Sequence, residues 1–259
     1  MSKISFFFCA TLLLMACGSE MPEESSPNHL PVIDHRDVNE FVMHTEMAHK
    51  KYDFQSKGAI EFDFRLVFRE QERMNAHFTL LTGEAKGRID QTDGLSMVHD
   101  GMESWVISDS ISNDEKRFDI YTWSYFFLLP YKLSDPGTAY SPFPTDSLNG
   151  IVYDTQKLTF DPGTGDAPDD WYVLYADQQT ALLNVAAYIV TANSSVAEAE
   201  EDPHAIKYES YALVDGIPIA TRWSFWGWQE DGGLTAQLGY AELSNIRFSS
   251  PNATDFTRP

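Results

Sequence analysis

Apolar and polar residues alternate along much of this chain. Ile60, Phe62, Phe64, Leu66 and Phe68 interleave with Glu61, Asp63, Arg65, Val67 and Arg69. That period of two predicts a strand with one buried and one mostly wet face. Met74, Ala76, Phe78 and Leu80 carry the alternation onto a second strand. Shorter strands are expected at Lys86–Gln91, Leu95–His99 and Glu103–Ser108, the last two joined by Asp100-Gly101. An Asp-Gly pair between alternating runs favours a tight hairpin. Strands resume at Ile151–Tyr153, Lys157–Phe160, Trp171–Ala176 and Leu182–Thr191. Ile206–Val214 and Ile217–Trp228 flank Asp215-Gly216, and Leu238–Phe248 closes the series.

Two stretches break this rhythm. Over Asp34–Tyr52, Val38, Phe41, Val42, Thr45, Ala48 and Tyr52 recur at helical spacing, with Asp34 or Asp37 available as a cap. Over Arg117–Leu129, Phe118, Tyr121, Tyr125 and Leu128 share a helical face that Trp123, Phe126 and Phe127 widen, and Pro130 ends it. Asp135-Pro136-Gly137, the Pro142/Pro144 region and the acidic stretch Asp161–Asp170 read as loops, and Glu198–Asp202 as a charged connector. Consecutive antiparallel strands with two helices among them predict an α+β fold, mainly β: a large curved sheet with helices on one face.

The first 32 residues follow a different logic. Lys3, an apolar run from Ile4 to Leu14 and a small residue before Cys17 make an export signal, too short to span a bilayer. Leu14-Met15-Ala16-Cys17 resembles the bacterial lipobox, in which the cysteine becomes the first mature residue and carries lipid. Residues 1–16 are therefore expected to be a signal peptide, and residues 17–32, rich in Ser, Pro and Glu, a flexible tether. Residues 33–259 would form a single domain. Two or three acyl chains on Cys17 would give durable membrane attachment. Gly18 directly after the cysteine resembles outer-membrane sorting. Glu20, Glu23 and Glu24 resemble the tract that directs some Bacteroidota lipoproteins to the cell surface.

Composition narrows the function. Hydrophobic residues make up 43% of the chain and aromatics 14%, ample for a core. Cys9 would leave with the signal and Cys17 would carry lipid, so the domain is expected to hold by packing alone. The net charge of −21 excludes a nucleic-acid partner and offers anionic lipid no attraction. Attachment would fall to the anchor.

Candidate chemistry mostly fails its own geometry. His44-Thr45-Glu46-Met47-Ala48-His49 suggests a metalloprotease helix, but its histidines are five apart, about 140° around a helix. Glu46 and His49 fit a di-metal spacing that needs four long helices, so a solvated helix face is the expectation. Asp161–Asp170 lacks the alternating ligands and closing glutamate of a calcium loop. There is no Gly-x-Ser-x-Gly elbow, no phosphate-cradling loop and no free mature cysteine. These observations point to a non-enzymatic protein with no metal or cofactor. Trp223, Trp226 and Trp228 leave open a sugar platform, in a glycan-binding or glycan-hydrolysing lipoprotein. A purely structural envelope role also fits.

Beyond Cys17, several segments carry a family likeness. They are Asp170-Trp-Tyr-Val-Leu-Tyr-Ala-Asp177, Tyr211-Ala-Leu-Val-Asp-Gly-Ile-Pro218 and Leu243-Ser-Asn-Ile-Arg-Phe248 with Phe256. Together with the element order, they resemble the bacterial lipoprotein-carrier superfamily, LolA/LolB-like. Phe126–Leu133 looks closer to an uncharacterised family of Bacteroidota outer-membrane lipoproteins. The resemblance implies an unclosed β-barrel with helices plugging the concave face, and a lipid or acyl-chain ligand between them. On that implication Phe62, Phe64, Leu66, Phe78, Leu80, Tyr125 and Trp223 line either the cavity or the helix-packing core. Both roles demand the same residue types, and no protein partner is legible.

Overall fold

A computed structural model describes residues 39–107, 113–144, 146–192 and 194–257. Cys17, the signal, the tether and the first residues of the expected N-terminal helix lie outside that set.

Thirteen antiparallel strands build one sheet that does not close into a barrel. They are β1 (Ala59–Phe68), β2 (Gln71–Leu81), β3 (Gly87–Gln91), β4 (Ser96–His99), β5 (Ser104–Ile107), β6 (Thr138–Pro142) and β7 (Ser147–Leu148). There follow β8 (Ile151–Phe160), β9 (Tyr172–Asp177), β10 (Leu183–Tyr188), β11 (His204–Val214), β12 (Ile217–Gln229) and β13 (Gly233–Ser249). The spatial order is 5-4-3-2-1-13-12-11-10-9-8-6, with β7 paired to β8. The central seam pairs β1 with β13, so the first and last strands meet and β5 and β6 form the two edges. At that seam Gly239 faces Phe68 across the ladder. A Cβ there would lie 2.4 Å from the Val67 carbonyl oxygen, so only glycine fits.

The helices are α1 (Glu40–Ala48), α2 (Lys51–Gln55), α3 (Asn113–Leu128) and α4 (Val196–Ala199). Helix α1 is capped by Asn39, whose side chain accepts from the Phe41 and Val42 amides. The expected single helix to Tyr52 is broken. Lys50 takes a left-handed φ of 54°, which ends α1 and redirects the chain into α2. Helix α3 runs into a 3₁₀ turn at Leu129–Tyr131, where Pro130 fixes the change of direction.

Other boundaries moved for local reasons. Ile151–Phe160 is one strand rather than two, because Asp154, Thr155 and Gln156 continue its alternation at exposed or half-buried positions. The Pro142/Pro144 region contains β6 and β7, where a sheet edge tolerates Pro142 at the end of a strand. The connector at Glu198 holds α4, started by a capping box between Ser195 and Glu198. The Asp215-Gly216 hairpin forms as expected, with φ of 50° and 80° at its two turn residues. Arg69 and Glu70 turn β1 into β2 with the same left-handed signs, without glycine.

The concave face carries the main core, into which α3 inserts Ile120, Trp123, Phe126 and Phe127. A second, smaller core lies on the outer face of β8–β12, where Val173, Tyr175, Val185 and Trp228 pack under Phe143, Leu148 and Leu234.

Candidate functional site

The concave face is built by the strand alternation and closed by α3. Phe62 and Phe64 point inward from β1, Phe78 and Leu80 from β2, and Trp223 from β12, all essentially without solvent exposure. Phe62 is sandwiched, stacking on Phe78 at 5.0 Å and on Phe127 of α3 at 4.5 Å. Phe64 tilts against Trp223 at 5.4 Å and Trp123 of α3 at 6.0 Å. Leu66 lies buried in the same core. Tyr125 sits apart from these, against Tyr172 at 5.6 Å and Phe160 at 6.4 Å. Burial pushes its phenol pKa upward, so it stays neutral.

Rings therefore fill the space between helix and sheet. A gap of about 10 Å³ lies under Tyr131, Tyr208, Tyr211 and Trp223, at the threshold for a single water. His49 borders that gap. Its Nε2 accepts from the Leu183 amide at 3.0 Å, which puts the proton on Nδ1, and Nδ1 has no hydrogen-bond partner. Tyr131 and Tyr211 meet the ring edge-on at 5.8 Å and 5.6 Å. Desolvation lowers the His49 pKa to about 3, so the ring is neutral.

Thr45 and His49 are thus buried and Glu46 nearly so, which overturns the expectation of a solvated helix face. Glu46 pairs with Lys51 at 2.7 Å, and both contact Ser134 after α3. This polar latch ties the α1–α2 elbow to the segment that follows the plug helix. Tyr208 holds the other side by donating to the Phe126 carbonyl at 2.8 Å. Sequence reasoning missed the latch, because Glu46 and Ser134 are 88 residues apart.

The tryptophan platform does not form. Trp223 points into the concave core, while Trp226 and Trp228 lie on the opposite face of β12. Alternation along the strand separates them. On that outer face Trp228 joins Trp171 and Phe143 around an open cleft of about 520 Å³. Glu200, Glu201, Asp202 and Glu230 rim it, with Lys157. Among the described residues, no group of three or more His, Cys, Asp or Glu side chains is placed to hold a metal. The Asp161–Asp170 loop is instead tied to α3, through an ion pair between Arg117 and Asp166.

No family model matches the sequence, and no curated protein matches it. Solved structures do. A LolA superfamily protein from Nitrosomonas europaea superposes over 83% of this chain and 97% of its own, with a TM-score of 0.54 at 13% identity. A putative outer membrane lipoprotein-sorting protein domain from Vibrio parahaemolyticus covers 84% and 97%, with a TM-score of 0.45 at 10% identity. The first of these shows that the chain shares the fold of that LolA superfamily protein, an unclosed antiparallel sheet with helices.

Proposed function

We propose that this chain is a bacterial outer-membrane lipoprotein, anchored through lipid on Cys17, that takes an acyl chain between α3 and the concave sheet without catalysing a reaction. One observation carries the reading: the lining that an acyl chain would need is already built and is covered by α3 through ring contacts, with Phe54 of α2 beside it. Phe127 on Phe62, and Trp123 on Phe64 and Phe225, occupy the volume a ligand would take. Replacing those contacts with lipid methylenes exchanges apolar for apolar surface at little net cost. Phe62, Phe64, Leu66, Phe78, Leu80, Tyr125 and Trp223 then become the wall. The latch at Glu46, Lys51 and Ser134 sets how readily the α1–α2 elbow and the plug part. The LolA-superfamily fold supports the same reading.

The test is native mass spectrometry of the protein extracted from membranes, followed by titration of the delipidated protein with a fluorescent fatty acid. A co-purifying lipid and saturable probe binding are expected. Phe127→Ala, which removes the ring that fills the half-barrel, should bind the probe several-fold more tightly. A bare protein that ignores the probe in both forms overturns the proposal. The glycan platform at Trp223, Trp226 and Trp228 has no geometric support, because the three do not share a face.

A further inference from the structure

The outer cleft is unrelated to the concave face and has a chemistry of its own. Its walls are Trp171 and Trp228, edge-to-face at 6.1 Å, with Phe143 tilted against Trp228 at 6.2 Å. Val173 and Gly227 also line it. Its volume, about 520 Å³, falls within the range of small-ligand sites. Four carboxylates line the rim, Glu200, Glu201, Asp202 and Glu230, against one ammonium, Lys157. The field inside therefore favours a positive charge.

Two details go beyond a charge count. The Lys157 ammonium sits over the Trp171 ring, 4.6 Å from its centroid, which is the placement a cation takes on an aromatic face. Trp171 is also oriented, because its indole nitrogen donates to Glu200 Oε1 at 3.1 Å. The cleft thus holds a flexible internal cation over a fixed ring, beside carboxylates that an incoming cation would meet. Trp228 Nε1 is buried and no acceptor meets hydrogen-bond geometry with it, although the Tyr175 phenol lies near enough to interact.

We propose that the cleft between Trp171 and Trp228 binds an ammonium or guanidinium group, which displaces Lys157 from the Trp171 face and pairs with the rim carboxylates. The group is either a basic side chain on a peptide segment or a free organic amine. A neutral sugar would use the rings but not the surplus of negative charge.

The test uses the folded mature chain with three probes: a tetralysine peptide, spermidine and cellobiose. Tryptophan fluorescence and calorimetry are read at about 0.01 M and about 1 M salt. Saturable binding of at least one amine is expected, weakened tenfold or more by high salt. Lys157→Met should tighten it several-fold by removing the resident competitor. Glu200→Gln combined with Glu230→Gln should weaken it tenfold or more, and circular dichroism checks that each variant is folded. Tighter binding of the peptide assigns the site to a basic protein segment, and tighter binding of spermidine to a free amine. Three results overturn the proposal: no saturable amine binding, salt-independent binding of cellobiose alone, or amine affinity that Lys157→Met and the double variant leave unchanged. The last would assign the signal to the general negative charge of the chain. Failure here leaves the acyl-chain reading untouched, because the two sites lie on opposite faces and use different probes.

Discussion

Strands β8 to β12 carry aromatic residues on both faces, and the two faces are covered in opposite ways. On β9, Tyr172 and Leu174 face the concave core, while Val173 and Tyr175 face the outer one, so five consecutive positions from Tyr172 to Ala176 are buried. Inside, rings from α3, with Phe54 of α2 and Tyr131 of the turn that follows α3, lie over the sheet. Outside, Phe143, Leu148 and Leu234 cover only part of it, and a cleft of about 520 Å³ stays open. On the dry face three phenols find partners on the main chain. Tyr131, Tyr208 and Tyr211 donate to the carbonyls of Pro218, Phe126 and Leu183. The wet face carries carboxylates along its rim, of which Glu200 accepts from the Trp171 indole. A ligand can enter the outer face as it stands, whereas the inner face must first move a helix.

The sharpest way to break this contrast is to remove one ring from each side. Phe62→Ala deletes a fully buried side chain stacked on both neighbours, and should cost about 3–5 kcal/mol in urea denaturation. Trp171→Ala on the half-buried outer wall should cost clearly less. Equal losses would mean that both faces are structural core and that the cleft is no more than a packing defect.

Next in size is the latch. Glu46 and Lys51 have side chains only 12% and 10% exposed, so Glu46→Ala leaves a nearly buried ammonium without its main partner. A loss of roughly 3 kcal/mol is expected. If the elbow restrains the plug, the same variant should also speed uptake of a fluorescent fatty acid in stopped flow. Destabilisation with unchanged uptake would confine the latch to folding.

Much of the one-sided half of the molecule was legible in the chain. On β1, Phe62, Phe64 and Leu66 alternate with Asp63 and Arg65 because only one face is buried, and β11–β12 was marked by Asp215-Gly216. The two-sided half was harder to read. β8 reads as two strands, Ile151–Tyr153 and Lys157–Phe160, yet between them Gln156 and Thr155 find partners in Asn39 and the Phe143 carbonyl. β6 and β7 were hidden in Ser, Pro and Thr, which an edge tolerates. The break at Lys50 has no local signal in the sequence, and the contact beside it, from the Leu183 amide to His49, spans 134 residues. The aromatic cleft escaped notice for a related reason. Trp171 and Trp228 are brought together by the order of the strands, whereas Trp223 and Trp226 are close in sequence and divided by the pleat.

Acid should distinguish the buried histidines from the wet rim. Burial lowers His49 to about 3 and His99 to about 4, against an ordinary value of 6.5. Between those values and 6.5 the unfolded chain takes up protons that the folded chain refuses, so stability is complete above about pH 6.5 and falls as pH drops. Each histidine contributes a slope of about 1 kcal/mol per pH unit. Denaturation midpoints followed from pH 7 to 4.5 should show it, and His49→Gln should flatten the limb by about half. An unchanged slope would mean that the elbow admits water to His49 and that the inner face is not dry there.

The smallest effect expected is at Trp226, and it tests the division of the tryptophans most directly. Its indole donates to Ser224 Oγ at 2.9 Å, and that hydroxyl donates in turn to Glu209 of the neighbouring β11 at 2.9 Å. Trp226 is only half-buried, and Ser224 keeps Glu209 when the indole is gone. Trp226→Phe should therefore shift stability by less than about 1 kcal/mol. It should leave fatty-acid binding unchanged, since only Trp223 among the three borders the concave interior. Loss of probe binding in Trp226→Phe would place the acyl site on the outer face and overturn the assignment of the two faces.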